Sequence, residues 1–360
     1  MVRSRTIGHI RGIEINVHPT FALVLLWVFF QWGRGSEGGF LPMLFGVTLL
    51  GLVFGCVVLH ELGHSFMALQ HGIRVHDITL WPIGGVARIE QVPARPRAEV
   101  LIALAGPAVN VAIAVALLPP LALFGVISGF RSPGDYLLYV TEHVSPGALL
   151  VYLFFVNVVL LLFNLLPAFP MDGGRVLRAL LTAMIGRERA TRAAVMIGQA
   201  MAVGLIVLGL WYQEYSLPLI GLFVIVTAHV EGRAVKVESA MRRLRVGQFA
   251  LWDMGGIAPH HPLTYALRGG PRDVAVTDGG RVVGMLWRNQ VLHGLNGGAG
   301  IRTVADVMDS AVVTVDIDDS VYDVQQRMNQ LNRWAMPVTE DGQYRGIFTA
   351  DRFVHVYRQL

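Results

Sequence analysis

The stretch VFGCVVLHELGHSFMALQ, residues 53–70, decides how this chain folds. An apolar run that begins near Leu41 continues to His60, Glu61 and His64 without a break that would end a helix. Two histidines four positions apart share one helical face, so their imidazoles can bind a single zinc ion. Glu61 then lies beside the open position of that ion, where it could act as a general base. The stretch therefore predicts a zinc site on a helix.

The apolar surroundings of this motif strengthen the zinc interpretation. A pattern of two histidines and a glutamate can arise by chance in a chain with 12 histidines, so the motif alone is only suggestive. At membrane depth, however, one charged side chain costs about 2.5 to 3.5 kcal/mol, and three ionisable groups together need a compensating partner. A bound metal ion is such a partner.

Composition places the chain among polytopic membrane proteins. Its 360 residues are 54% hydrophobic and only 15% charged, and the mean hydropathy is +0.53. The net charge is +4, but the arginines cluster beside the apolar runs instead of covering a basic face. This distribution argues against a nucleic-acid partner. The single cysteine, Cys56, excludes an internal disulfide and is predicted to pack in the apolar face.

Hydropathy predicts about six transmembrane helices in a lipid bilayer. The second contains the histidine motif, and the others are expected at residues 18–32, 99–118, 149–166, 193–212 and 217–230. Lysine and arginine concentrate in alternate connections, and the opposite side carries Arg34 and Arg131. The positive-inside rule therefore predicts that both ends of the chain are cytoplasmic.

The segment after the histidine motif predicts a β-hairpin. The runs ITLWPI and VARIEQ flank Gly84 and Gly85, an arrangement typical of two strands joined by a tight turn. The hairpin could be an ordinary connection. Because it is unusually apolar and directly follows the motif, we favour a re-entrant hairpin that dips into the membrane. Its free edge near residues 83–86 could pair with an extended substrate segment.

The third predicted span contains GPAVN, residues 106–110. Gly106 and Pro107 could simply form a packing kink, because neighbouring helices can satisfy the freed backbone groups. The polar Asn110 beside the kink could instead line a site. After this span, residues 128–146 are predicted to form a longer outer loop.

The fourth predicted span ends in NLLPAFPMDGG, residues 164–174. Pro167 and Pro170 are predicted to break the helix and to leave Asp172 on extended backbone. From there its carboxylate could reach into a cavity as a third zinc ligand. Alternatively, Asp172 could cap a helix that starts near Gly173, and both roles could hold in part.

After Arg245 the composition becomes that of a soluble α/β domain with an internal repeat. The segments DGGRVVGMLWRNQVL from Asp278 and DGQYRGIFTADRFV from Asp341 each predict a turn, a strand and a helix. An amphipathic helix is predicted for residues 319–331.

The motifs HELGH, GPAVN and NLLPAFPMDGG together resemble the site-2 protease family of intramembrane zinc metalloproteases, over nearly all of residues 11–230. The segment PIGGVAR likewise resembles the re-entrant hairpin of that family. The resemblance implies one zinc ion per chain, a catalytic base and an amide near the scissile carbonyl. These roles fall to His60, His64 and Asp172 as zinc ligands, to Glu61 as base, and to Asn164 or Asn110 beside the carbonyl.

The tail resembles a pair of CBS repeats. The implied division is a protease domain at residues 1–235, a linker at 236–245, and cytoplasmic CBS repeats at 246–298 and 301–360. CBS pairs commonly bind adenine nucleotides, for which Thr349 and Asp351 are weak candidates, because Arg352 stands where the binding pattern expects an aspartate. A dimerising or docking role fits equally well.

The implied activity is regulated intramembrane proteolysis of a membrane-anchored regulator, of the anti-sigma or pro-sigma type, in a bacterial inner or plasma membrane. A CBS-regulated ion transporter is a rival from another class. It would place ionisable residues in several spans or repeat broken helices in two related halves, whereas here the polar groups concentrate in the second to fourth spans. A catalytically inactive membrane scaffold is a third alternative.

Overall fold

The computed structural model describes residues 4–33, 39–82, 84–89, 95–252, 255–267, 273–296 and 303–359. The chain divides into two compact units, Met1–Gly232 and Arg233–Leu360. Arg34 and the edge residue Ile83, which the sequence analysis singled out, lie outside the described residues, as does the predicted boundary between the CBS repeats.

Long apolar helices dominate the first unit. The helices are α1 (Ala22–Gly33), α2 (Phe40–Gln70), α3 (Pro96–Ser128), α4 (Pro133–Glu142), α5 (Pro146–Asn164), α6 (Asp172–Ile185), α7 (Arg187–Tyr212) and α8 (Ser216–Arg243). Among the described helices, α2, α3, α5, α7 and α8 are long and apolar enough to cross a membrane. The prediction of a polytopic helical membrane protein is therefore confirmed.

The first predicted span is shorter than expected. It forms α1, which has 12 residues and follows a single turn of 3-10 helix at Pro19–Phe21. At 1.5 Å per residue, α1 is about 18 Å long, whereas the hydrocarbon core of a bilayer is about 30 Å thick. The described residues thus contain five helices of spanning length where the sequence predicted about six.

One connection that the sequence analysis treated as a loop contains a helix. The predicted outer loop at 128–146 is wrong, because residues 133–142 form α4. The side chain of Ser132 caps this helix reciprocally with Asp135, and Pro133 occupies its first turn, so the start of α4 is encoded locally. The helix that the sequence predicted to start near Gly173 is α6.

The double-proline segment separates α5 from α6 as predicted. Helix α5 ends at Asn164, and α6 begins at Asp172. The prediction that Asp172 lies on extended backbone is wrong: Asp172 is the first residue of α6, and the extended cap residue is Met171. The next residue must be a glycine, because a Cβ on Gly173 would lie 2.3 Å from the carbonyl oxygen of Leu165. Because residue 173 has no side chain, the start of α6 can pack directly against the residues that follow α5.

A small mixed sheet packs against the C-terminal half of α2. Its strands are β1 (Arg5–Ile10), β2 (Ile13–Val17), β3 (Val75–Trp81) and β4 (Gly84–Ile89), in the order β1-β2-β3-β4. The predicted hairpin is confirmed as the antiparallel pair β3–β4, with β4 at the sheet edge. Gly84 and Gly85 lie within β4, not at the turn where they were expected. A shared core of Leu62, Ile78 and Ile102 joins the sheet to α2 and α3.

The second unit shows the predicted α/β repeat. Its described elements are β5 (Leu251–Trp252), β6 (Val274–Asp278), β7 (Arg281–Leu286), α9 (Arg288–Asn296), β8 (Val315–Asp316), α10 (Val321–Gln330), β9 (Ala335–Glu340), β10 (Gln343–Thr349) and α11 (Ala350–Gln359). A hairpin followed by a helix occurs twice, as β6-β7-α9 and β9-β10-α11. The helix predicted at 319–331 is α10, which Ser320 caps. Helix α8 continues through most of the predicted linker, to Arg243.

Candidate metal centre

Three side chains that the sequence analysis grouped as ligands converge in the first unit. The Nε2 atoms of His60 and His64, one turn apart on α2, lie 3.0 Å from each other. The Oδ2 atom of Asp172, on α6, lies 3.3 Å from the first and 3.1 Å from the second. All three residues are buried. Among the described residues, this is the group whose ligand atoms could hold a metal ion.

The spacing of these atoms fits zinc. Zinc bonds of about 2.0 to 2.1 Å in a tetrahedral site place the donor atoms about 3.3 to 3.4 Å apart. The three observed separations, 3.0 to 3.3 Å, describe one face of such a tetrahedron with slightly short edges. Two imidazoles and one carboxylate also leave a fourth position for water or substrate, as catalytic zinc sites require.

The hydrogen bond on the far side of each ring fits a neutral imidazole whose Nε2 atom carries no proton. His64 donates its Nδ1 proton to the carbonyl oxygen of Ile102 over 2.7 Å, and His60 donates to Oδ1 of Asn110 over 2.6 Å. A neutral imidazole that donates at Nδ1 carries its lone pair on Nε2. This arrangement is the usual one around histidines that bind metals.

Gly106 makes room for the two rings. A Cβ on this residue would lie 2.2 Å from Nε2 of His64 and 2.7 Å from Nε2 of His60, which is far below any contact distance. Helix α3 can therefore pass the ligand atoms because residue 106 has no side chain. The sequence analysis assigned Gly106, with Pro107, to a packing kink and did not predict this role. The available signal was the glycine of the GPAVN motif itself.

Charged groups anchor the helix that carries the third candidate ligand. Arg178, six residues beyond Asp172 on α6, is buried and donates from Nε to Glu99 of α3 over 2.8 Å. Its Nη1 also bonds Glu231 over 2.9 Å, and its guanidinium lies 5.1 Å from the centre of the Phe169 ring. The sequence analysis did not predict this pairing.

The other predicted catalytic residues border a cavity of about 590 Å³ beside the three ligands. Glu61, Gly84, Gly85 and Asn164 all line it. A Cβ on Gly85 would lie 2.7 Å from Cγ of Glu61, so the absence of a side chain allows β4 to approach the glutamate. The cavity therefore joins a carboxylate, the edge of a β-sheet and an amide in one space.

Asn110 differs from its expected place. The sequence analysis considered it as a group beside the scissile carbonyl, but it is fully buried and is not among the residues that line the described cavity. Its Oδ1 accepts from His60, and its Nδ2 donates to Asn157 over 3.4 Å. The structure thus places Asn110 behind a ligand and leaves Asn164 as the amide that faces the cavity.

The second unit contains a polar cavity away from the predicted nucleotide residues. It has a volume of about 350 Å³ and is lined by Asp273, Trp287, Arg288, Asn289, Asn332, Arg333 and Trp334. The indole N–H of Trp287, helped by the Arg333 guanidinium, holds the pKa of Asp309 below its ordinary value. Thr349 and Asp351 do not line this cavity; Asp351 is exposed in the first turn of α11.

Comparisons with known proteins give independent information on both units. The family model of peptidase family M50 matches residues 48–208, and that of the CBS domain matches residues 304–358. A zinc metalloprotease of Methanocaldococcus jannaschii is 32% identical over 344 residues, which cover 94% of this chain and 92% of the relative. Stage IV sporulation protein FB of Bacillus subtilis is 25% identical over 181 residues, about half of each chain. A solved site-2 protease from Methanocaldococcus jannaschii aligns at 33% identity with a TM-score of 0.44, over 64% of this chain and 95% of that one.

Proposed function

This chain belongs to peptidase family M50, the site-2 protease family of zinc metalloproteases, and we propose that it cleaves a membrane-embedded protein at the His60–His64–Asp172 site. One observation carries the proposal: three ligand atoms with the spacing of a zinc site lie beside a cavity that also contains Glu61. His60 and His64 lie on α2, a helix long and apolar enough to cross a membrane, so the peptide bond would be cut at membrane depth.

The chemistry divides between the metal and the chain. A zinc ion held by His60, His64 and Asp172 would supply a Lewis acid and a water activated near neutral pH. Glu61 accepts a proton from the attacking water as the water oxygen bonds to the scissile carbonyl carbon. The same carboxyl then gives that proton to the amide nitrogen as the C–N bond breaks, which leaves a carboxylic acid and an amine.

The edge of β4 would hold the substrate. A transmembrane helix hides its carbonyls in internal hydrogen bonds, so it must unwind before attack. Strand β4 lies at the edge of the described sheet and borders the cavity with Gly84, Gly85 and Val86. An extended substrate segment could add to this edge through backbone hydrogen bonds. Asn164, across the cavity, would then contact the scissile carbonyl.

Membership of the family supports a proposal for the substrate class. We propose a membrane-anchored transcription regulator of the anti-sigma or pro-sigma type, previously trimmed by another protease. We further propose an inner or plasma membrane location in a bacterium, with the N-terminus and the second unit cytoplasmic. The cluster of arginines around α6 and the start of α7, which includes Arg187, Arg189 and Arg192, supports this orientation.

The second unit would regulate the protease. We propose the division into residues 1–235, a linker at 236–245, and CBS repeats at 246–298 and 301–360, with dimerisation or an adenine nucleotide as the input. The cavity beside Trp287 and Arg333 supplies an aromatic ring and a cation, which suit a base and a phosphate. It is therefore a better candidate for such a ligand than Thr349 and Asp351.

One experiment tests the proposed mechanism. Wild type and Glu61→Gln are each co-expressed with a single-span anti-sigma factor that lacks its outer domain, and release of its cytoplasmic part is followed. We expect Glu61→Gln to abolish release while the purified protein keeps its zinc. Glu142→Gln, which changes an exposed glutamate of α4, should cleave like wild type. Undiminished release by Glu61→Gln would contradict the proposed mechanism.

A further inference from the structure

A buried asparagine on α5 has no place in the mechanism above. Asn157 is fully buried within the largely apolar helix α5 and is not among the residues that line the described cavity. Its Nδ2 donates to the carbonyl oxygen of Leu153 over 2.8 Å and lies 3.4 Å from Sγ of Cys56. Its Oδ1 accepts from Nδ2 of Asn110, whose own Oδ1 accepts from His60. A chain of hydrogen bonds thus links α5 through α3 to a ligand on α2.

The direction of this chain is fixed at one end. A backbone carbonyl oxygen can only accept, so the group that Asn157 turns towards Leu153 must be its NH₂. The Oδ1 atom of Asn157 then faces Asn110. Because this oxygen can only accept, Asn110 must donate to it from Nδ2. Asn110 in turn presents its own Oδ1 atom to His60. This oxygen can only accept a hydrogen bond, so His60 must carry its proton on Nδ1.

We propose that Asn157 is a positioning residue that fixes the tautomer of His60 and so keeps Nε2 free to bind zinc. The proposal rests on the zinc site proposed above. If the chain of amides ran in the opposite direction, Asn110 would present an N–H to His60, and the ring would carry its proton on Nε2, where the metal must bind. His64 needs no such relay, because the carbonyl of Ile102 fixes its tautomer directly.

Two substitutions of Asn157 separate this role from simple space filling. Asn157→Leu has a similar size and suits an apolar helix, but it removes both the donor and the acceptor. Asn157→Asp keeps an oxygen towards Asn110, and when protonated it still donates to the Leu153 carbonyl, so it preserves the direction of the relay. A packing role predicts that leucine is tolerated better than aspartate, whereas the relay predicts the reverse.

Zinc affinity is the first readout, measured on the full-length protein in detergent by competition with a chelator. We expect Asn157→Leu to weaken zinc binding about 10- to 100-fold, as the loss of outer partners of a ligand typically does. We expect Asn157→Asp to stay within about threefold of wild type, because the relay keeps its direction. Cys56→Ala is the matched control: it removes the other contact of Asn157 and should leave the affinity unchanged.

Histidine tautomers are the second readout, measured by ¹⁵N NMR on zinc-free protein at a pH where the imidazoles are neutral. Asn157→Leu should give His60 signals with the proton on Nε2, while the His64 signals stay as in wild type. Because the protein contains no zinc in this measurement, the relay can be tested even if the proposed metal site fails. Wild-type zinc affinity and an unchanged His60 tautomer in Asn157→Leu would overturn the proposal, as would leucine outperforming aspartate.

Discussion

The two sides of the metal centre are supported by different kinds of interaction. On the histidine side, neutral amides and a backbone carbonyl hold the rings, and the supporting residues lie on the long helices α2, α3 and α5. On the aspartate side, ion pairs hold α6: Arg178 with Glu99, and more weakly Arg175 with Asp172 at 3.5 Å. Neutral groups orient one side, and charges anchor the other.

The difference follows from the elements that carry the ligands. Both histidines lie within the C-terminal half of a 31-residue helix, so packing already fixes the backbone and only the rings must be oriented. Asp172 opens a helix of 14 residues that follows a non-helical segment rich in proline. Such an element needs a long-range contact to set its position, and the buried pair of Arg178 with Glu99 supplies one. We therefore expect substitutions of the supporting residues on the aspartate side to lower stability, and those on the histidine side to weaken zinc binding.

The largest effect on stability is expected for Arg178→Met. It leaves Glu99 buried without its partner, which typically costs about 3 to 5 kcal/mol in free energy of unfolding. Thermal unfolding of the zinc-free protein in detergent measures the loss. Arg192→Met, which breaks an exposed pair with Glu188, should cost less than about 0.5 kcal/mol.

A double variant tests the origin of that cost. Arg178→Met combined with Glu99→Gln removes both charges, so it should recover part of the stability lost in the single variant. If the double variant were as unstable as the sum of the two single variants, the ion pair would not be the anchor of α6.

Gly106→Ala should have the largest effect on zinc. The added Cβ would overlap the Nε2 atoms of both histidines, so the ligands must move apart. We expect the zinc affinity to fall by more than the about 10- to 100-fold that the loss of a supporting partner causes. Gly55→Ala is the control, since a Cβ there meets nothing within 4 Å. Equal zinc affinities in the two alanine variants would contradict the proposed position of the ion.

Asn110→Leu should have an intermediate effect, confined to the histidine side. It removes the acceptor for the Nδ1 proton of His60, so we expect zinc affinity to fall about 10- to 100-fold. Chelator competition measures the change. Asn164→Leu provides the comparison, because this amide lines the cavity and should not alter zinc affinity. A larger loss of zinc in Asn164→Leu than in Asn110→Leu would reverse the assignment of the two amides.

The smallest effect is expected for Arg175→Gln. Its Nη1 is 3.5 Å from Oδ1 of Asp172, and its side chain is 24% exposed, so solvent weakens the attraction. We expect the free energy of unfolding to fall by less than about 1 kcal/mol and the zinc affinity to change by less than about fivefold. A loss as large as that of Arg178→Met would show that charge near the ligand, rather than the buried pair, fixes α6.

Local patterns in the sequence predicted the ligands and the elements that carry them. The spacing of His60 and His64 placed them on one face, the prolines predicted the break before Asp172, and the alternation around Gly84 predicted the hairpin. Each of these signals extends over a few residues, where backbone sterics and helical periodicity decide the outcome. The distinction between Asp172 as a cap and as the first helical residue depends on contacts with the preceding segment.

Contacts between distant segments could not be predicted in this way. Arg178 and Glu99 are 79 positions apart, and nothing in either local sequence selects the other as partner. The same holds for the parallel pairing of β2 with β3, which adds the N-terminal hairpin to the sheet. The sequence alone indicated that Asn157 needs a hydrogen-bond partner, because it is an amide within an apolar stretch. It could not identify Asn110 as that partner, because the packing of α5 on α3 brings the two together.

Zinc content per chain tests the central claim most directly. Detergent-purified wild type is compared with Asp172→Ala and with Asp318→Ala, which changes an exposed aspartate of the second unit. The account predicts about one zinc per chain in wild type and in Asp318→Ala, and a clear loss in Asp172→Ala, because one ion needs ligands from both sides of the centre. Wild type without zinc, or Asp172→Ala with the full amount, would contradict it.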